Sequence, residues 1–339
     1  MSQDQIYSAL TKMGLIVAGQ RPRLVPLTGG ISSEVYRLDL DRGPVCVKRA
    51  LAKLKVEQDW YAPVERSAFE VAWIETVSKI APGSVPEVIG HDPDALMFVM
   101  AFLEPDQYPV WKEQLRSGVI DPQTAAGLGA LMARLHAATA GQEAIEARFD
   151  GSAELFFALR IEPYLLATAA AQPSVAAQIQ QIAKTTQATT LALVHGDFSP
   201  KNILIGPNGP VILDSETANW GDPAFDLAFC LNHLLLKCVW HPEWTEAYLQ
   251  CFDALAAAYL KDVNWEPRET LEARAAVLLS AFLLARIDGK SSAEYITKDN
   301  DKDFVRAIAM QFLVDLPVRL DVMRATWLSK MKEKLDEGR

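Results

Sequence analysis

The sequence is short of the features that mark most specialised architectures. Its four cysteines, Cys46, Cys230, Cys238 and Cys251, form no C-x-x-C pair and have no histidine at zinc spacing. A disulfide framework and a structural zinc site are therefore not expected, and free thiols in a reducing compartment fit best. With 18 glycines and 19 prolines in 339 residues, collagen-like or linker-like composition is excluded. The longest nearly unbroken apolar stretch, Ala275 to Ala285, contains Ser280 and falls well short of the roughly 20 residues that cross a bilayer. Met1 to Leu10 lacks the basic start and apolar run of a secretory signal, so a cytoplasmic location is expected. Basic residues are the minority, 33 Lys plus Arg against 43 Asp plus Glu, for a net charge of −10. A field of that sign repels polyanions unless bases are locally concentrated, so neither nucleic acid nor membrane is expected as a partner.

What is present is a chain that is 50% hydrophobic, long enough for two lobes at roughly 150 residues each. The first hundred residues carry short β-type runs at Arg23–Leu27, Glu34–Leu40, Pro44–Arg49, Glu87–His91 and Leu96–Leu103. Asp41-Arg42-Gly43 and Asp92-Pro93-Asp94 separate some of them, as hairpin chemistry requires. One helix interrupts the strands: from Pro63 to Ile80, Phe69, Trp73, Val77 and Ile80 recur at helical spacing, with Glu70 beside the stripe. After Leu103 long helical periodicity takes over, as at Leu128, Leu131, Met132 and Leu135. The biased stretch Ala169–Ala183 reads as a helix starting at Pro173. The expected organisation is an N-terminal lobe of residues 1–103, with a hinge near 100–103, and a helical lobe of residues 104–339.

The helical pattern breaks once, and polar residues crowd there. Val194-His195-Gly196-Asp197-Phe198-Ser199-Pro200-Lys201-Asn202 is followed, across the turn Gly206-Pro207-Asn208-Gly209, by Val211-Ile212-Leu213-Asp214-Ser215-Glu216. A hairpin brings Asp197, Asn202 and Asp214 around one point. Hard oxygen donors from Asn202 and Asp214, with Glu216 as a further candidate, suit Mg²⁺ with positions left for water and phosphate oxygens. Asp197 is then free to act as a base.

The spacing His-x-Asp-x-x-x-x-Asn followed by an Asp after a short strand resembles the catalytic and metal-binding segments of protein-kinase-like enzymes. Gly196 after His195, the missing Arg of the kinase loop, and Gly221-Asp222-Pro223-Ala224-Phe225-Asp226-Leu227-Ala228 make the chain more similar to the aminoglycoside phosphotransferase and choline kinase superfamily. Asp214-Ser215-Glu216 resembles the Asp-x-Glu of methylthioribose kinases. The resemblance implies a bilobal α+β protein-kinase-like fold and transfer of the ATP γ-phosphate, with Mg²⁺, to a hydroxyl of a small acceptor. It also implies that His195 supports the two loops and that the backbone of Ala101 and Leu103 meets adenine at the hinge.

Upstream residues are consistent with that kit. Thr28-Gly29-Gly30-Ile31-Ser32-Ser33 is a small-residue turn through which backbone N–H groups approach phosphate without side-chain obstruction. Lys48 follows on the next strand, where it resembles the kinase lysine that contacts phosphates; Glu70 is its natural partner and Glu65 the fallback. Asp222 and Asp226 fix the segment after the metal ligands, with Asp226 read as the cap of a helix over Leu227–Leu236. Trp220, Arg286 and Asp288 are candidates for an acceptor pocket, although packing or a helix-end charge explains each equally. Three negative charges at Asp197, Asp214 and Glu216 would repel a bare polyphosphate by several kcal/mol at about 5 Å, so metal and Lys48 are electrostatic requirements. A pseudokinase serving as an interaction module is the alternative function. A protein kinase proper is disfavoured by the short segment after Glu216. The acidic balance favours a neutral or cationic acceptor, and either a monomer or a homodimer is compatible with the sequence.

Overall fold

Period-two alternation decides which face of the N-terminal sheet meets what. The computed structural model describes residues 3–27, 32–51 and 65–337. Its strands β1 (Leu24–Pro26), β2 (Ser33–Leu40), β3 (Gly43–Ala50), β4 (Val88–Asp92) and β5 (Met97–Ala101) form one antiparallel sheet in the order β1-β2-β3-β5-β4. Val45 and Val47 of β3, with Leu38, Met97 and Val99, point to one side. Cys46 and Lys48, one residue out of phase, point to the other and line a cleft. The β2–β3 turn runs through Asp41-Arg42, and Gly43 at φ +113° takes a backbone conformation that a side chain would strain.

The sequence reading expects one helix here, and the structure has two. Arg66–Ile80 carries the expected stripe, with Trp73 and Val77 buried. It packs on the cleft side of the sheet, where Phe98 of β5 joins its core. The second, Gln3–Lys12, has no counterpart in the expected elements; its Ile6, Tyr7 and Leu10 close the small core on the opposite face.

The remainder is mostly helical. Helices Pro122–Thr139, Pro223–Trp240, Thr245–Lys261 and Arg268–Asp288 share one large core, and Pro223–Trp240 is buried along nearly its whole length. Pro173 opens a short 3-10 turn, Pro173–Val175, which runs on into the Ala176–Ala188 helix. Among the described residues, no helix is long and apolar enough to cross a membrane. The interruption in the helical pattern holds β6 (Ala192–Val194), β7 (Ile203–Gly206), β8 (Gly209–Ile212) and β9 (Asn219–Gly221), with β6 paired to β9 and β7 to β8. The strand β9 was not expected from sequence. It fills the segment between Glu216 and the Pro223–Trp240 helix.

Candidate active site

The loop after β6 is held from beneath by one buried carboxylate. Asp226 accepts the His195 N–H at 2.7 Å and the Gly196 N–H at 2.9 Å, and His136 Nε2 lies 3.3 Å from it. Asp226 therefore does not cap the helix. That role belongs to Asp222, which accepts the Ala224 N–H at 3.0 Å and pairs with Arg274 at 2.9 Å. The helix thus starts earlier than the sequence reading has it, with Pro223 at its first position. Gly196 sits at φ +77°, and a Cβ there would lie 2.6 Å from the Thr217 carbonyl oxygen. Both observations require glycine.

His195 is fixed in one tautomer by its neighbours. Nε2 lies 3.0 Å from the Leu213 carbonyl, an acceptor only, so Nε2 carries the proton. Nδ1 then accepts the Asp197 N–H at 3.1 Å. Burial holds the imidazole pKa below its ordinary value, consistent with a neutral ring. The ring also stands edge-on to Trp73, 4.9 Å away on the Arg66–Ile80 helix, which ties the loop to the N-terminal lobe.

Asp197 is almost fully buried, yet its charge is well supported. Lys201 Nζ at 3.2 Å and Arg160 Nη2 at 3.1 Å both approach Oδ2. Burial opposes ionisation, but Lys201 and then Arg160 outweigh it and hold the carboxyl well below the usual carboxylate range. Asn202 spends its Nδ2 on the Asp197 carbonyl at 3.1 Å. The Leu213 N–H donates to the Asn202 carbonyl at 2.8 Å, which places Asp214 beside Asn202. Asp214 has the left-handed φ of +63°, unusual for a residue other than glycine.

Lys48 joins the two lobes. Its Nζ lies 2.7 Å from Glu70 Oε1 and 2.5 Å from Asp214 Oδ1, and Glu65 is not its partner. Burial opposes the ammonium charge, yet Asp214, Glu70 and Glu216 together raise its pKa above the ordinary value. Glu216 meets Arg66 Nε at 3.2 Å, and Arg66 also donates to the carbonyls of Ser32 and Leu51 at 2.5 Å each. Among the described residues no three His, Cys, Asp or Glu side chains converge as a metal cluster. The oxygen donors brought together are the Asn202 amide and the Asp214 carboxylate.

Lys48, Glu70, Asn202 and Asp214 line a cavity of about 310 Å³ between the lobes, whereas Asp197 and Glu216 do not. Ser32, Ser33, Lys48 and Glu70 line it from the sheet side, Ala101 and Leu103 from the connection, and Asn202 and Asp214 from the helical lobe. Gly29 and Gly30 lie outside the described residues. The Ala101 N–H is spent on the Glu87 carbonyl at 2.9 Å, so at that residue only the carbonyl remains to meet a ligand. A second cavity, of about 150 Å³, is lined by Asp197, Lys201 and Arg286; Lys201 is shared with the first cavity, whereas Asp197 lines the second alone. Trp220 instead packs in the core and pairs within β6–β9. Asp288 holds Arg306 at 2.8 Å and Gln172 at 2.7 Å, and neither Trp220 nor Asp288 lines that cavity. Arg160 was missed in the sequence because no local pattern singles it out; Lys201 had a signal, its i,i+4 spacing from Asp197.

A family model described as "Phosphotransferase enzyme family" matches residues 23–270. Methylthioribose kinase 1 of Oryza sativa subsp. japonica is 25% identical over 229 residues, covering 60% of this chain and 53% of that protein. The chain spans about half the length of the curated relatives it matches. A choline/ethanolamine kinase family protein from Mesorhizobium loti has a TM-score of 0.53 at 17% identity, covering 97% of this chain and 99% of that one. Amicoumacin kinase hAmiN, solved with AMP-PNP, Ca²⁺ and Ami, has a TM-score of 0.55 at 12% identity, covering 94% and 98%. At those identities the structural likeness establishes the fold, the two-lobed protein-kinase-like arrangement expected from the sequence.

Proposed function

This chain belongs to the phosphotransferase enzyme family, and from that premise we propose that it is an ATP-dependent O-phosphotransferase acting on a small hydroxylated acceptor. The observation that carries the reading is Lys48, a buried ammonium gripped by carboxylates from both lobes in the cleft that Asn202 also lines. A lysine in that position neutralises phosphate charge that Asp214 and Asp197 would otherwise repel. The apolar lining of the same cavity, Leu27, Val35, Met100 and Leu204, suits a flat base.

The donor set fits Mg²⁺, a hard cation that prefers oxygen. Asn202 Nδ2 is already committed, which leaves Oδ1 as its ligand atom, and Asp214 supplies the carboxylate. Glu216, engaged by Arg66, is assigned to anchoring the helix and not to the metal. Bound there, the ion would neutralise the charge of the phosphates. In the reaction the bond between the γ-phosphorus and the β–γ bridging oxygen breaks while the acceptor oxygen forms a new bond to phosphorus. The hydroxyl proton passes to Asp197. Arg160 and Lys201 keep that carboxylate ionised and therefore a weak base, which suits a loose transition state where the proton leaves late and orientation matters most. Ala101 through its carbonyl and Leu103 through its N–H are assigned to the adenine base, and Ser32 and Ser33, with Gly29 and Gly30 of the same sequence segment, to the phosphates.

The test is ADP release from Mg·ATP over a panel of sugars, aminoalcohols, hydroxy acids and aminoglycosides. Acceptor-dependent ADP release that Asp197→Asn abolishes is expected. Full turnover in Asp197→Asn would remove the proposed base, and tight ATP binding with no acceptor-stimulated release would favour the pseudokinase reading.

A further inference from the structure

The second cavity is where the acceptor would approach Asp197, and its chemistry is lopsided. It is lined by Lys112, Lys201, Lys237 and Arg286 against only Asp197 and Glu294. Lys201 is engaged by Asp197, and Lys112 donates to Glu294 at the rim. Arg286 Nη2 reaches Glu294 only at 4.0 Å, and its Nη1 is satisfied by the Ser291 carbonyl. Among the described residues, that leaves Lys237, 1% exposed, with no carboxylate at contact distance; Glu294 and Glu113 raise its pKa only from further away.

Four residues that line the same space each carry a buried polar atom without a partner: Ser199 Oγ, His233 Nε2, Arg286 Nε and Tyr295 Oη. Buried polar groups are normally satisfied, so such a group of orphans marks a place where something else belongs. Their character indicates what. Arg Nε and Lys Nζ donate only, and the two hydroxyls can donate. Four cationic side chains line the space against two carboxylates, while the His233 ring nitrogen and the hydroxyls can serve as donor or acceptor.

Lys237 sits one helical turn beyond His233 on the buried Pro223–Trp240 helix, so both reach the cavity from one face. Its ammonium lies 5.0 Å from the Trp240 ring centroid and 5.2 Å from that of Tyr295. Tyr295 lines the cavity and Trp240 does not, so a ring that a cationic acceptor could meet here is already engaged by Lys237. Burial lowers the Lys237 pKa to about 8, the mark of a charge held without an adequate counter-ion.

We propose that the acceptor carries an anionic group, a carboxylate or a phosphate, seated on Lys237 and Arg286 with His233, Ser199 and Tyr295 beside it, while its hydroxyl faces Asp197. This rests on the kinase reading and reverses the expectation drawn from net charge. The overall −10 is a property of the whole surface, whereas this cavity concentrates the opposite sign.

The test is calorimetric titration of the full chain, with and without Mg·ADP, using a matched six-carbon series: glucitol, glucosamine, gluconate and glucose 6-phosphate. At least one anion is expected to bind about tenfold or more tighter than glucitol and glucosamine, as charged hydrogen bonds provide, and the better of the two identifies carboxylate or phosphate. Lys237→Met should erase that preference, raise the Tm and leave Mg·ADP affinity unchanged; Arg286→Gln, as a second variant, should weaken only the anions. Heat from neither anion, equal or tighter binding of glucitol or glucosamine, or a preference that survives in both variants would overturn the proposal. Failure of wild-type protein to bind Mg·ADP would count against the kinase reading alone, because the anion titration has its own readout.

Discussion

Two lysines with almost the same burial, Lys48 at 6% and Lys237 at 1%, show what each cavity is built to hold. Lys48 has Glu70 and Asp214 within 2.7 Å, and its pKa is raised. Lys237 has two aromatic rings beside it and, among the described residues, no carboxylate in contact; Glu294 and Glu113 act from further away, and burial lowers its pKa to about 8. Burial is common to both, so the neighbours decide the sign. In the cleft the charges of the chain largely satisfy one another, leaving amide and carboxylate oxygens for a metal. In the second cavity donors are left over, and the missing partner is a negative charge. A phosphotransferase needs both conditions side by side: a balanced site for a polyanion with its metal, and a separate one that selects the acceptor.

The comparison can be broken at several points. The largest effect is expected for Asp197→Asn, where kcat should fall by about 10²–10⁴-fold with nucleotide affinity retained, read by steady-state kinetics and titration. Lys48→Met should destabilise the fold by about 3–5 kcal/mol, because it strands buried Glu70, and weaken ATP binding; urea unfolding measures the first. Gly196→Ala should cost about 1–3 kcal/mol from its positive φ alone, with more from the Thr217 carbonyl it would strike, and lower the Tm. Lys237→Met, the same exchange as at Lys48, should have the opposite sign and stabilise by about 1 kcal/mol or more, since an apolar side chain replaces an uncompensated charge.

The same lysine gives a signal in pH. The folded pKa of Lys237 is below its unfolded value, so between about 8 and the ordinary lysine value the unfolded chain binds more protons than the folded one. Stability should therefore rise with pH across that window, with a contribution of up to about 1.4 kcal/mol per pH unit. The difference between wild type and Lys237→Met, followed by chemical denaturation from pH 7 to 10, isolates it. A difference independent of pH would mean that Lys237 is not held against its charge.

Much of the cleft was legible because its signals are local. Strand alternation put Lys48 opposite Val45 and Val47, and the interval from Asp197 to Asn202 to Asp214 survives in any hairpin of that length. The second cavity was illegible for the complementary reason. Its wall is assembled from the Pro223–Trp240 helix, the end of Arg268–Asp288 and the segment at Ser291–Tyr295, and only the fold makes these neighbours. Arg160 is hidden in the same way: it reaches Asp197 from the π-helical stretch Phe157–Leu166. Asp222 and Asp226 were both legible as supports, but the cap was read at Asp226 and lies at Asp222, since a cap and a loop anchor look alike in sequence and differ only in which N–H groups they face. Net charge averages over the whole surface, so it carries no information on a cavity whose wall only the fold assembles.

The central claim is that Asn202, Asp214 and Lys48 together form a site for a metal-bound triphosphate. Calorimetric titration of ATP into the wild-type chain, with Mg²⁺ and then with EDTA, and into Asp214→Ala, tests it most directly. Binding with Mg²⁺ that weakens at least about tenfold in EDTA, and that no longer responds to Mg²⁺ in Asp214→Ala, is the predicted result. Equal affinity with and without the metal, or an Asp214→Ala variant that keeps the full metal dependence, would contradict it.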